Sequence, residues 1–186
     1  MRIFIALDIP EEIRARLTEF RERAQRYAPG ARWARAEGLH VTLKFVGNVN
    51  DEKVPEMKSA LATVKAAPFD VSFQDAGFFP NPKSPRVFWA GVHGSHALEK
   101  LVASIDQAVH AVGASLEDKP YRPHLTLARA GSAPGTNHEL KQLQHFLEKE
   151  PAPRFGTMTA HQFWMYQSQP QAGGSKYVKL ERFELE

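Results

Sequence analysis

Two short segments of this chain carry the same pattern. His40-Val41-Thr42-Leu43 recurs as His124-Leu125-Thr126-Leu127, 84 positions later, and a glycine follows each at the same offset, Gly47 and Gly131. With only 8 histidines in 186 residues, a duplicated His-x-Thr-Leu is far beyond what this composition yields by chance. The spacing suits a β-strand, where side chains at i and i+2 share a face. Each motif then sets an imidazole beside a hydroxyl, while Val41 and Leu43, or Leu125 and Leu127, turn to the core. Two such strands facing one cleft would offer what phosphodiester hydrolysis needs. One neutral imidazole takes a proton from the attacking water and the other, as imidazolium, protonates the leaving oxygen. Thr42 and Thr126 donate hydrogen bonds to the non-bridging oxygens as charge builds there. Histidine suits both roles because its ordinary pKa lies near 6.5. A lone strand histidine followed by threonine is usually a solvent-facing pair; the repeat is what carries the catalytic reading.

Other residues are candidates for holding the substrate. Arg122 and Arg129 flank the second motif and suit a phosphate. Strict alternation gives Arg129 the parity of Leu125 and Leu127, away from His124 unless a bulge intervenes, which favours a structural or rim role. Lys44 shares parity with His40 and Thr42, so it is expected near the cleft mouth. Phe78, Phe79 and Tyr166 could stack a base, although each reads as readily as a core or loop-anchoring ring. His93 and His96 have a metal-like spacing but no third ligand nearby in sequence, so no metal is expected. Arg14, Arg16, Arg21, Arg23 and Arg26 read as a solvated helix face, with an RNA-backbone track as the alternative.

The elements that must position these groups follow from patterning. Ile3 to Leu7 reads as a buried strand, and Pro10-Glu11-Glu12 opens a helix with Ile13, Leu17, Phe20 and Ala24 on one face. Residues 39–46 read as a strand, residues near 54–64 as a helix, and Phe69 to Phe73 as a strand leading into a proline-rich loop. Arg86 to Val92 is a further strand. A third helix bears Leu98, Leu101, Ile105 and Val109, with Gly113 as its left-handed terminus. Pro123 to Ala128 is the second motif's strand. Thr136 to Glu139 resembles a capping box opening a fourth helix. Phe155 to Tyr166 and Tyr177 to Leu185 alternate as strands around a turn at 169–174. Helices among mostly antiparallel strands imply an α+β class, in one domain over residues 1–186.

Composition is consistent with this. The chain is 42% hydrophobic and 24% charged, with a formal net charge of +3. It has no cysteine, which excludes disulfides, thiolate metal sites and a cysteine nucleophile. No apolar run approaches a membrane span. A cytoplasmic protein is expected.

At the two motifs, at Met1 to Asp8, at Phe79-Pro80-Asn81-Pro82 with Pro85-Arg86-Val87, and at Tyr177 to Leu185, the chain resembles the two-histidine phosphoesterase superfamily. It is most similar there to the RNA 2′,3′-cyclic phosphodiesterases, historically called 2′-5′ RNA ligases. The resemblance implies a bilobal fold of two pseudo-symmetric lobes around a central cleft, and no cofactor or metal. It implies hydrolysis of a terminal 2′,3′-cyclic phosphate to a 2′-phosphate, with His40 as proton donor and His124 as acceptor. The residues alone leave those two roles interchangeable. Expected partners are RNA with cyclic phosphate ends, tRNA fragments among them, or cyclic nucleotides, bound by a monomer. Two alternatives stay open: a nucleotide-binding module without turnover, and weak reversible 2′-5′ ligation as the same chemistry run backwards.

Overall fold

A computed structural model describes residues 1–186. Nine strands and four α-helices succeed one another. They are β1 (Arg2–Leu7), α1 (Glu11–Gln25), β2 (Arg32–Trp33), β3 (Val41–Asn48), α2 (Val54–Leu61), β4 (Phe69–Phe79) and β5 (Val87–Gly94). Then come α3 (His96–His110), β6 (His124–Arg129), α4 (Thr136–Lys149), β7 (Arg154–Ala160), β8 (Gln162–Gln171) and β9 (Gly174–Glu184). The strands form two antiparallel sheets, ordered β3-β1-β8-β9 and β2-β6-β5-β4-β7. This is the bilobal α+β architecture expected from the sequence. No helix is long and apolar enough to cross a membrane.

The internal repeat extends well beyond the histidine motifs. Shifting the numbering by 84 carries β1 onto β5, α1 onto α3, β3 onto β6 and α2 onto α4. Each long helix packs against the other half's sheet. Phe20 of α1 meets Phe88 of β5 and Phe155 of β7, with ring centroids 6.2 and 5.2 Å apart. Reciprocally, Asp106 of α3 pairs with Lys44 of β3 at 2.6 Å. This exchange merges the lobes into a continuous core of 40 buried residues. Burial on that scale, at about 25 cal/mol per Å² of apolar surface, dominates what holds the halves together.

Several elements differ from the sequence reading. β4 runs on through Phe79, where a loop is expected, because a bulge after Phe73 absorbs the Gln74-Asp75 irregularity and re-registers the strand at Ala76 against Ala90. Asp75 takes the left-handed φ of 67° that this kink requires. β8 likewise continues to Gln171, so the hairpin turn is confined to Ala172-Gly173. Thr136 to Glu139 forms no capping box. The residue before the helix is Gly135, in the left-handed region, and the Thr136 hydroxyl donates to the Gly131 carbonyl at 2.8 Å. Glu139 instead accepts from the Gly30 amide at 2.6 Å. Gly113 does terminate its helix with φ 100°. β2, only two residues long, carries no sequence signal.

Candidate active site

β3 and β6 lie against each other across the cleft. The Tyr121 hydroxyl, just ahead of β6, donates to the Thr42 carbonyl at 3.0 Å and ties the two strands together. Their inward residues behave as alternation demands: Val41, Leu43, Leu125 and Leu127 are all at most 3% exposed. Both strands then break alternation at the same motif position. Ile5 pairs with Lys44 and Ala6 with Thr42, so Leu43 is the extra residue of a bulge. Phe88 pairs with Ala128 and Trp89 with Thr126, so Leu127 is the extra residue of its counterpart. A bulge inserts one residue and reverses the parity of all that follow. Lys44 and Ala128 are therefore buried, while Phe45 and Arg129 emerge into the cleft.

The two imidazoles are held in the same way. His40 Nδ1 donates to the Gly38 carbonyl at 2.7 Å, and His124 Nδ1 donates to the Arg122 carbonyl at 2.8 Å. A carbonyl only accepts, so Nδ1 carries the proton in both rings and Nε2 is the atom left for chemistry. His40 Nε2 lies 3.1 Å from the Thr42 hydroxyl. Their surroundings differ. His40 sits among rings, 4.8 Å from Phe4, 6.1 Å from Tyr166 and edge-on to Tyr177 at 5.1 Å. His124 meets the ring of Phe79 edge-on at 4.9 Å, and the Arg122 guanidinium covers that ring at 5.1 Å.

These settings lower both histidines' pKa values. Burial pushes His40 down to about 4, opposed by the Gly38 carbonyl and by Asp8 and assisted by Arg14 and Arg129. Burial also lowers His124, opposed by the Arg122 carbonyl and assisted by Arg129 and Arg122. Both imidazoles are thus neutral at pH 7 in the free protein. An anion between them would raise both, because an opposite charge favours the protonated ring.

The cleft has a volume of about 1360 Å³ and is lined by His40, Thr42, His124 and Thr126 together. That exceeds the 300–1,000 Å³ typical of a small-ligand pocket. Its charge is one-sided. Arg2, Arg32, Arg35, Arg129 and Lys176 line it against the single acid Glu37, and none of those five cations has an ion-pair partner within 4.0 Å. Arg32 and Arg129 are directly paired in the β2–β6 register, an arrangement that repels unless an anion bridges it. No group of three or more His, Asp or Glu side chains comes together that could hold a metal ion.

The LigT-like phosphoesterase family model matches this chain over residues 7–89 and again over 93–177, one segment for each histidine motif. The chain belongs to this family. It is 32% identical to the RNA 2′,3′-cyclic phosphodiesterase of Archaeoglobus fulgidus over 184 residues, covering 99% of this chain and 100% of that protein. Among solved structures it resembles E. coli LigT complexed with 3′-AMP, with a TM-score of 0.80 at 27% identity, covering 99% of this chain and 97% of that one. It also resembles TT0787 of Thermus thermophilus, with a TM-score of 0.78 at 31% identity, covering 100% of this chain and 98% of that one.

For this LigT-like phosphoesterase, several residues named from sequence lie elsewhere than expected. Lys44 does not reach the cleft: the Leu43 bulge turns it inward, where it pairs with Asp106 and donates to the Ser115 carbonyl at 2.8 Å. Arg129, expected to point away from His124, lines the cleft because of the Leu127 bulge. Phe78 is buried against Phe88, which leaves it no face for a base. Tyr166 is buried too, stacked on Phe4 at 5.1 Å behind His40. Arg122 is exposed beside the cleft and contributes its carbonyl to His124.

Sequence reasoning missed Phe4, Phe45, Arg32, Arg35, Lys176 and Tyr177 as cleft residues. Of the arginines read as a solvated face on the first helix, Arg16, Arg23 and Arg26 are exposed, whereas Arg14 and Arg21 are half-buried. Arg14 donates to the Ala36 and Leu39 carbonyls at 2.6 and 3.2 Å and pairs with Asp8. Arg21 donates to the Ala34 carbonyl at 2.5 Å. Together they clamp residues 34–39, the segment that delivers His40. Arg16 and Arg23 bind the Phe155 carbonyl and Glu150.

Proposed function

We propose that this protein hydrolyses RNA or nucleotide 2′,3′-cyclic phosphate ends to 2′-phosphates, without a metal, through His40 and His124. The observation that carries the reading is the pair of imidazoles lining one cationic cleft, each with Nδ1 tied to a backbone carbonyl so that Nε2 is the ring nitrogen left for proton transfer. The names of the relatives support the same substrate class.

In this mechanism the cyclic phosphate sits between the rings. His124 Nε2 accepts a proton from water as the water oxygen bonds to phosphorus. The bond from phosphorus to O3′ breaks, and O3′ takes the proton of His40 Nε2. The product carries a 2′-phosphate and a free 3′-hydroxyl, and the two rings have exchanged protonation states, which solvent restores. Thr42 and Thr126 donate to the non-bridging oxygens as negative charge accumulates. The cleft arginines offset the charge of the ester and raise its local concentration. His40 must gain a proton before it can act, and the bound anion supplies the electrostatic drive. With a 5′-hydroxyl end in place of water, the same steps join a 2′-5′ bond: His124 takes the proton of the 5′-hydroxyl as its oxygen bonds to phosphorus, and O3′ leaves with the proton of His40. Water at its bulk concentration makes that a minor outcome.

One observation favours a second reading. An imidazole as desolvated as His40 also suits a nucleotide-binding protein without turnover. Incubation with adenosine 2′,3′-cyclic phosphate and with a cyclic-ended oligonucleotide, in excess EDTA, separates the two. The expected result is a 2′-phosphate product, identified by phosphorus NMR. Tight nucleotide binding with no product would establish the binder instead.

A further inference from the structure

The two half-sites share a backbone but differ in what lies behind their histidines. Carrying the first half onto the second by 84 residues places Asp8 on Val92 and Arg14 on Leu98. Val92 and Leu98 are buried apolar residues. Asp8 and Arg14 are instead an ion pair, with Arg14 Nη2 donating to Asp8 Oδ1 at 2.9 Å. Only the His40 half therefore carries a carboxylate at this place.

The pair reaches His40 through the backbone. Asp8 Oδ1 also accepts from the Ile9 amide at 2.9 Å, and Lys179 Nζ donates to Oδ2 at 2.5 Å. Arg14, anchored in this way, donates to the Ala36 and Leu39 carbonyls. Those two carbonyls bracket Gly38, whose own carbonyl holds His40 Nδ1. Asp8 and Arg14 line a second cavity, of about 740 Å³, which His40 also borders. Neither lines the cleft itself, so they act on the imidazole and not on the ligand.

We propose that Asp8 is the positioning residue that gives His40, rather than His124, the role of proton donor. The proposal rests on the cyclic phosphodiesterase reading for the reaction. A donor must hold a proton that burial works to strip from it, and a nearby carboxylate favours the charged ring. Asp8 is the one carboxylate that acts on either imidazole. Arg14 from α1 and Arg129 from β6 oppose protonation of His40. Glu37, ahead of β3, and Lys176, from β9, border the same cavities but are exposed, so solvent screens them. Burial keeps Tyr166 of β8 neutral, and Tyr177 of β9 meets the ring edge-on. Around His124 the acting charges are Arg129 and Arg122, and both oppose protonation.

The test uses Asp8→Asn, whose amide oxygen can keep the bonds to Ile9 and Arg14 while the charge is lost. Both imidazoles are neutral at pH 7 in the free protein. There kcat/KM follows the small protonated fraction of the donor and is insensitive to the proton affinity of the acceptor. If His40 then holds its proton less tightly by about one pH unit, kcat/KM for adenosine 2′,3′-cyclic phosphate at pH 7 falls roughly tenfold. The loss should shrink as the pH falls into the range where His40 is protonated in both proteins, whereas structural damage would cost the same at every pH. NMR titration of the histidine rings should show His40 titrating at lower pH in the variant and His124 unmoved. An unmoved His40 titration, or a loss equal at every pH, would overturn the proposal alone. A moved His40 titration with undiminished kcat/KM at pH 7 would make His40 the acceptor and overturn it as well. No turnover by the wild type would overturn both the proposal and the reading beneath it.

Discussion

The β3 half-site and the β6 half-site are one backbone design fitted with two sets of side chains. Both hold their histidine by Nδ1 on the carbonyl two residues before it, and both bulge at the leucine three residues after it. Around His40 the design is aromatic, with Phe4, Tyr166 and Tyr177. Around His124 it is cationic, with Arg122 and Arg129 among the groups that depress its pKa. At the position after the bulge, β3 buries an ion pair, Lys44 with Asp106, where β6 buries Ala128. In the mechanism proposed above, the shared backbone sets the geometry of the pair, and the differing neighbours separate the two roles. Identical rings become chemically distinct because their surroundings desolvate and charge them differently.

The comparison breaks most sharply at the histidines themselves. His40→Ala and His124→Ala should each lower kcat/KM for a cyclic nucleotide by about 10²- to 10⁴-fold, the usual worth of one proton transfer. Steady-state kinetics on each variant checks this. If only one substitution mattered, the two halves would not form one site.

Next in size is the buried ion pair found in one half only. Asp106→Ala strands the Lys44 ammonium in the core and removes the acceptor of the Glu117 amide. It should cost about 3–5 kcal/mol in denaturant unfolding. Lys44→Met should cost distinctly less, because it leaves no buried cation. Equal costs would mean that the pair is incidental.

Arg129→Ala tests the cationic side. Loss of one charge-assisted contact, about 1.5–3 kcal/mol, should raise the KM for an anionic substrate by roughly ten- to a hundredfold. Weaker salt dependence should accompany it, and a KM unchanged at low salt would remove Arg129 from the site.

The smallest effect distinguishes the aromatic side through stability. The unfolded chain protonates its histidines near pH 6.5, whereas folded His40 resists protonation until about pH 4. Between those values the unfolded state binds more protons, so stability falls as pH falls through that window. His40→Gln should flatten that part of the unfolding free energy against pH. An identical slope in variant and wild type would contradict the burial of His40.

Much of this was legible in the residues. The His-x-Thr-Leu repeat marked both strands, their inward leucines and the shared cleft. Apolar periodicity located α1 and α3 through Leu17, Phe20, Leu101 and Ile105. The errors share one cause. Strict alternation fails past Leu43 and Leu127, because a bulge is set by pairing with a neighbouring strand, β1 or β5, and leaves no local trace. Alternation alone therefore puts Lys44 and Arg129 on the wrong faces, and the bulge named as the exception for Arg129 is the one that returns it to the cleft. Tyr177 and Arg32 escaped notice because only the tertiary fold brings β9 and β2 to the histidines. Arg14 and Arg21 looked like surface charges because their acceptors, the carbonyls of residues 34–39, carry no sequence signature.

The pH dependence of kcat/KM for a 2′,3′-cyclic nucleotide, measured in EDTA for the wild type and both histidine variants, tests the acid–base pairing most directly. The free-enzyme groups govern this parameter, and burial lowers both imidazoles. The wild type should therefore give a bell with both limbs below pH 6.5. His40→Ala should lose the alkaline limb, where the donor deprotonates, and His124→Ala the acidic limb, where the acceptor protonates. A bell that survives intact in either variant would contradict the pairing.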